Sequence, residues 1–259
     1  MKKRSGILCI LVAALVLIAM LPIGASAAAD YSRVFANLKF TDVAEYDKPL
    51  PPGEGTAKSP AQIKKELAKI GFRIPGNGPV IEKRTLCFSK NDGQLEDASK
   101  ELRYMKTSGS NTYAYYESTL LENPDNNILC AFIKATPKTE SWYIWAKGAK
   151  MGEYGSSPAQ RTPGKPDRMT DCRKYQNEKV LGHTCFVYSY VPKGEDCTVY
   201  KYVSRKTGQA IKIAYVYPDG YTAFQITFVE KYTTKSNKFF KKPKGVKFIK
   251  SYVEDDVDG

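Results

Sequence analysis

The sequence predicts a mainly β protein: one large, strongly curved antiparallel sheet with a single early helix, the sheet either closing as a barrel or folding around that helix. Three observations carry this. Glu178 to Ile213 reads as three short strands, around Cys185 to Tyr190, Cys197 to Ser204 and the residues after Lys206-Thr207-Gly208, joined by polar turns. From Val80 onward similar segments recur between Gly- and Pro-bearing breaks, and 11 Phe, 2 Trp and 18 Tyr suit strands better than helices. Before Val80 there is one capped amphipathic helix, too short to stand alone in water.

The chain opens as a secretory signal. Lys2, Lys3 and Arg4 precede an apolar run from Ile7 to Ile23, and small residues offer cleavage after residue 27 or 29. Removing 27 or 29 of 259 residues leaves 232 or 230, and losing three cations lowers the formal charge from +13 to +10. The expectation is an exported protein, periplasmic or secreted according to the host envelope, with no transmembrane segment after cleavage. Nucleic acid is not an expected partner for such a protein. A cationic surplus suits an anionic envelope surface.

Residues 28–58 read as irregular, with Pro49-Leu50-Pro51-Pro52-Gly53 unable to hold a helix or a central strand. The helix follows at 60–70. Ser59 is its N-cap, Pro60 takes the first position, Gln62 completes a capping box and Gly71 ends it. Ile63, Leu67 and Ile70 share one face, a candidate lid. Strands are then expected over Ile81 to Ser89, Glu101 to Lys106, Asn111 to Thr119, Asn127 to Lys134, Ser141 to Lys147, Met151 to Tyr154 and Tyr175 to Val180, then the three-strand meander, and Tyr221 to Tyr232. That makes about nine to eleven strands, within an ordinary sheet size. In the last, Phe224, Ile226 and Phe228 point one way while Ala223, Gln225 and Thr227 point the other. Residues 251–259 form an acidic tail expected to lack order.

Nothing here specifies catalysis. The single histidine, His183, sits in the turn Leu181-Gly182-His183, and the carboxylate pairs Glu96-Asp97 and Glu195-Asp196 fall in polar segments. No cofactor or metal site is expected. A charged run, Lys238, Lys241, Lys242, Lys244 and Lys247, forms a basic surface or a solubilised edge strand.

Three stretches resemble the family of exported proteins related to the outer-membrane lipoprotein carrier LolA. Glu178-Lys179-Val180-Leu181-Gly182-His183-Thr184-Cys185-Phe186-Val187-Tyr188 resembles its E-x-V-x-G-x-x-C-x-x-Y run. Val199 to Lys212 is similar to the hairpin that follows, with Tyr200 and Ala210 where the family often carries Trp and Pro. Phe239 to Ile249 resembles its terminal segment, and Trp142 to Met151 faintly matches a further strand. The match is best over 175–249.

The resemblance implies an incomplete barrel over 59–250 whose concave side is covered by helix 60–70. It implies a cavity that shelters lipid or the acyl chain of a lipoprotein. Trp142, Trp145, Phe186, Tyr188, Phe224, Ile226 and Phe228 are the candidates to line it. An interaction module that binds protein or anionic polymer through the basic surface is the alternative. Five cysteines follow the signal, and export permits disulfides. Cys172 with Cys197, and Cys87 with Cys130, are the expected pairs.

Overall fold

The computed structural model describes residues 28–48, 50–71, 80–122, 128–158, 168–233 and 237–251, with the side chains of 28–30 and 237–238 excepted. The expected signal segment, the run Pro163-Gly164-Lys165-Pro166-Asp167, whose composition reads as a loop, and all but the first residue of the acidic tail lie outside these residues, as does the Lys238 side chain. The architecture is a single, non-closed, mainly antiparallel sheet, as expected. It has fourteen strands among the described residues rather than nine to eleven.

In chain order the elements are helix α1 (Ala28–Asn37), a 3-10 turn (Phe40–Glu45), β1 (Thr56–Ala57), helix α2 (Pro60–Lys69), β2 (Val80–Asn91) and β3 (Gln94–Ser108). Next come β4 (Asn111–Leu120), β5 (Leu129–Ala135), β6 (Thr139–Ala146), β7 (Met151–Pro158), β8 (Met169–Lys174) and β9 (Glu178–Val180). The chain continues through β10 (His183–Pro192), β11 (Thr198–Ser204), β12 (Ala210–Val216), β13 (Tyr221–Thr233), a 3-10 turn (Asn237–Phe240) and β14 (Lys247–Lys250). Across the sheet the order is β1-β8-β10-β11-β12-β13-β2-β3-β4-β5-β6-β7-β14, with β9 hung on β10. Only β14 runs parallel to its neighbour. Twist accumulates over so many strands, and an open sheet of this width curls.

Two hairpins are set by tight turns. Asp92-Gly93 and Leu181-Gly182 each place two successive residues at positive φ, the geometry that matches strand twist in a two-residue loop. The first joins β2 to β3 and extends both well past Ser89 and back before Glu101, so Glu96 and Asp97 belong to a strand and not to a polar loop.

The segment expected to be irregular holds α1 and the first 3-10 turn, a correction with a clear cause. Phe35, Leu38 and Val43 are buried against Leu86, Phe88, Phe224, Ile226, Phe228 and Val229. Phe228 receives the rings of Phe35 and Tyr46, at centroid distances of 5.7 and 5.0 Å. The apolar residues of the segment have the sheet to bury against, which outweighs the local Pro-Gly signal further on.

Helix α2 forms as read. Ser59 Oγ accepts from the Gln62 amide at 3.2 Å, and Gln62 Oε1 accepts from the Ser59 amide at 2.8 Å. Its buried residues Ile63 and Leu67 pack with Cys172, Phe186, Tyr188 and Val203, and the half-buried Ile70 joins them.

The two helices lie on opposite faces. Cross-strand partners put Tyr188, Lys201, Ile213, Gln225, Cys87 and Ser99 on the face that α2 covers. Their chain neighbours Tyr202, Lys212, Phe224, Ile226, Leu86 and Phe88 belong to the α1 face. Further along the sheet the α1 face is covered by the C-terminal segment, where Phe239, Phe240, Val246 and Phe248 pack on Tyr104, Tyr115, Tyr143 and Trp145.

Lys212 is buried on the α1 face between the rings of Tyr202 and Phe224, and its Nζ donates to the Lys48 carbonyl at 2.9 Å. Burial pulls its pKa down to about 8, with Glu178 and Asp47 opposing. An unfolded lysine holds its proton to a higher pH, so between about 8 and 10.4 the unfolded state binds more protons and stability rises with pH. Relative to Lys212→Met, the unsubstituted protein gains on the order of 2 kcal/mol between about pH 7.5 and 10.5. Urea unfolding at both values checks this, and a pH-independent difference contradicts it.

Candidate functional site

The α2 face has three regions of different character across the sheet. Over β8, β10, β11 and β12 it is apolar and sealed by α2. Over β13, β2 and β3 it is polar yet buried. Thr85, Ser89, Ser99, Glu101, Arg103, Gln225 and Glu230 all lie at 9% exposure or less, with no described helix over them. Over β4 to β7 and β14 the face becomes apolar again but stays partly open.

The polar belt is a ladder of opposed residues. One rung runs Gln225, Cys87, Ser99 and Leu120; the next runs Thr227, Thr85, Glu101, Ser118 and Leu129. A third runs Glu230, Lys83, Arg103, Tyr116, Ala131 and Ile144. Its charges are paired. Lys83 Nζ is 3.4 Å from Glu230 Oε2, and Arg103 Nη2 donates to Glu101 Oε2 at 2.6 Å. The Arg103 guanidinium also lies 4.8 Å from the Tyr116 ring centroid. Burial pushes the Glu230 carboxyl up, against the pull of Lys83. It pushes the Cys87 thiol well up too, with Glu101 adding to the effect.

Several buried polar atoms of the belt have no hydrogen-bond partner within the chain: the hydroxyls of Thr85, Ser89, Ser99 and Tyr116, both amide atoms of Gln225, and Glu230 Oε2, which meets Lys83 as an ion pair only. Such groups ordinarily find partners, because each costs about 1–3 kcal/mol when left without one. At the open end Leu120, Met151 and Ile249 are exposed, beside the half-buried Leu129, Trp142 and Ile144. Trp142 lies flat over Gly155, where any Cβ would meet the indole at 2.2 Å. That close approach is what glycine permits there.

No family model and no curated protein matches this sequence. Among solved structures the chain is similar to a DUF1329 family protein from Desulfovibrio piger, with 9% identity, a TM-score of 0.39 and coverage of 70% of this chain and 95% of that one. It is similar to a chain of the Pseudomonas aeruginosa MucA/MucB complex, with 10% identity, a TM-score of 0.41 and coverage of 65% and 58%. It is also similar to a LolA superfamily protein from Nitrosomonas europaea, with 12% identity, a TM-score of 0.32 and coverage of 71% and 99%. Proteins this distant settle neither ligand nor partner, which have to be argued from the chain's own residues.

The seven residues expected to line one cavity do not share a face. Phe186 and Tyr188 are fully buried under α2, as closed core. Phe224, Ile226 and Phe228 lie on the other side of the sheet, under α1. Trp145 is also on that side, in the cluster capped by Phe248 at 6.0 Å. Only Trp142 lies on the open part of the α2 face. A strand's side chains alternate, so residues two apart share a face, but parity does not carry between strands without their register.

The expected disulfides do not form; Cys87, Cys130, Cys172, Cys185 and Cys197 are all free. Cys87 and Cys130 sit on opposite faces with β3 and β4 between them. Cys172 and Cys197 share the cluster beneath α2, but β10 separates their strands, and two strand spacings of about 4.8 Å exceed what a disulfide spans. His183 Nδ1 lies 3.0 Å from Ser204 Oγ, a bond that braces the hairpin. Of the basic run, Lys241, Lys242, Lys244 and Lys247 are exposed.

The belt residues were missed because alternation assigns them to a solvent face. A pointer was present in the Asp92-Gly93 turn, which makes β2 and β3 two of the longest strands of the sheet. The paired charges give a direct check. Lys83→Met leaves Glu230 buried without its partner and costs about 3–5 kcal/mol, whereas Lys83→Met with Glu230→Leu recovers most of it. Urea midpoints of the three proteins decide this, and a double variant as weak as the single one contradicts the pairing.

Proposed function

We propose that this chain is a non-catalytic, exported binding module of the cell envelope that takes lipid or the acyl chain of a lipoprotein on the α2 face. The observation that carries the reading is the open, largely apolar stretch of Leu120, Leu129, Trp142, Ile144, Met151 and Ile249, interrupted at its outer edge by Glu153 and Lys247, which runs into the buried polar belt. Such a surface fits a molecule with one apolar and one polar end. An acyl chain gains about 0.8 kcal/mol per buried CH₂. The amino-terminal run read as a secretory signal supports export. No described helix is long and apolar enough to cross a membrane.

A second reading has its own support. Lys241, Lys242, Lys244, Lys247 and Lys250 are exposed along the edge that also exposes Met151, Tyr154 and Ile249. That edge suits an anionic polymer or protein partner, without a lipid ligand.

The two readings separate on titration with a fluorescent fatty acid. Met151→Asp with Ile249→Asp changes exposed positions, so the fold is kept, and binding weakens about tenfold or more. Charge reversal of Lys241, Lys242, Lys244 and Lys247 leaves it within about threefold. No fatty-acid binding by the unsubstituted protein, or loss only on charge reversal, overturns the acyl reading.

A further inference from the structure

The sheet ends at β14, whose only strand neighbour is β7. Five large hydrophobic side chains are exposed among the described residues, and three of them, Met151, Tyr154 and Ile249, lie on these two strands. The register places them on both sides of the edge. Met151 and Ile249 share the α2 face with Trp142, whereas Tyr154 pairs with Tyr143 on the α1 face.

The charge around them is almost all of one sign. Residues 148–158 and 239–251 carry Lys150, Lys241, Lys242, Lys244, Lys247 and Lys250, all exposed, against the single carboxylate Glu153. On the α1 face Lys242 Nζ lies 5.6 Å from the Tyr143 ring centroid and 5.0 Å from that of Phe248. Tyr143 and Tyr154 stack at 5.9 Å, so the exposed Tyr154 ring ends a row that begins at Phe132.

The lysines alone have a bland explanation, since they keep an edge strand from pairing with another chain. That explanation leaves the three apolar side chains beside them without a role. Exposed apolar side chains rimmed by polar groups mark a surface that binds. A rigid partner would have to match both sides of a one-strand edge. A bilayer surface needs no such match, because its headgroups rearrange around whatever enters. Tyrosine settles at headgroup depth, where its ring is apolar and its hydroxyl wet. Lysine stems lie along apolar surface while their ammonium groups stay in water. Each lysine beside an anionic surface strengthens binding about fivefold, and Glu153 opposes it.

We propose that the β7–β14 edge docks on a membrane surface that carries anionic lipid, with Met151, Tyr154 and Ile249 entering the headgroup layer. The proposal shares Met151 and Ile249 with the acyl reading and does not rest on it. Four carboxylates, Glu254, Asp255, Asp256 and Asp258, follow Lys250 in the sequence and are the competing occupant of the same lysines.

The test is flotation of the full chain, after removal of the expected signal, with unilamellar vesicles. Phosphatidylcholine containing about one-third phosphatidylglycerol is compared with phosphatidylcholine alone. The protein binds the mixed vesicles about tenfold or more tightly, and about 0.5 M salt removes most of the difference. Charge reversal of Lys241, Lys242, Lys244 and Lys247 lowers binding to that of phosphatidylcholine alone. Met151→Ser with Ile249→Ser weakens mixed-vesicle binding about tenfold. Tyr154→Ser weakens it about threefold and, lying on the other face, leaves fatty-acid binding within about twofold. A chain ending at Ser251 binds at least as tightly as the full one.

Binding by that shortened chain only assigns the lysines to the acidic residues that follow and overturns the proposal. Equal binding to both vesicles, or none to either, overturns it too. Loss on charge reversal with no change in either serine variant marks a purely ionic surface for a polyanion, and also overturns bilayer docking. Fatty-acid titration is read separately in solution. Failure to float therefore leaves the acyl reading standing, and failure to take up fatty acid leaves the docking standing.

Discussion

The pairing of β13, β2 and β3 is the constraint on which the other features depend. These are the longest strands, of 13, 12 and 15 residues, and they sit in the middle of the sheet. Their register decides which residues meet α1 and which turn inward. A slip of one residue would carry Leu86, Phe88, Phe224 and Ile226 to the polar side and expose Gln225 and Thr85 to the aromatic core. Two bulges shape the register, one at Phe228 on β13 and one at Glu96 on β3, opposite Ser89. The first lets Phe228 and Val229 both pack with α1 while Glu230 returns to the other face opposite Lys83.

From that register follow two faces with different energetics. The α1 face is a conventional apolar core, stitched by stacked rings such as Phe88 on Phe224 at 4.6 Å and closed at its far end by the C-terminal segment. The α2 face gives up part of that gain. It buries two ion pairs and a group of hydroxyls and amides that a well-packed set of aliphatic residues would outperform in stability alone. The belt occupies the three central strands of the sheet. The open apolar stretch beside it continues the same rungs, so polar and apolar halves form one continuous surface.

Much of the architecture was legible in the residues. The meander from β10 to β12, β13 with its alternating Phe224, Ile226 and Phe228, and α2 with its capping box each carry local signals strong enough to stand without context. α1 was not legible, because its helical character rests on burying Phe35 against Phe228, a partner almost two hundred residues away. β8 went unnoticed beside a loop, and β3 was shortened because Glu96, Asp97 and Ser99 read as a polar break. The site failed for a related reason. Phe186 and Phe224 look equivalent in isolation, each on an aromatic strand, and only the register through β11 and β12 puts them on opposite faces. The cysteine pairs failed for the same want of register.

Gln225 therefore provides the most direct measurement of the account. Directly opposed residues on antiparallel strands have Cα atoms about 4.5–5.5 Å apart, within reach of a disulfide. Gln225→Cys, oxidised in the folded state and mapped without reduction, yields a bond to the native Cys87. Phe224→Cys yields none, because its side chain lies on the other face. A bond from position 224 to Cys87, or none from position 225, would contradict the register and with it the polar belt.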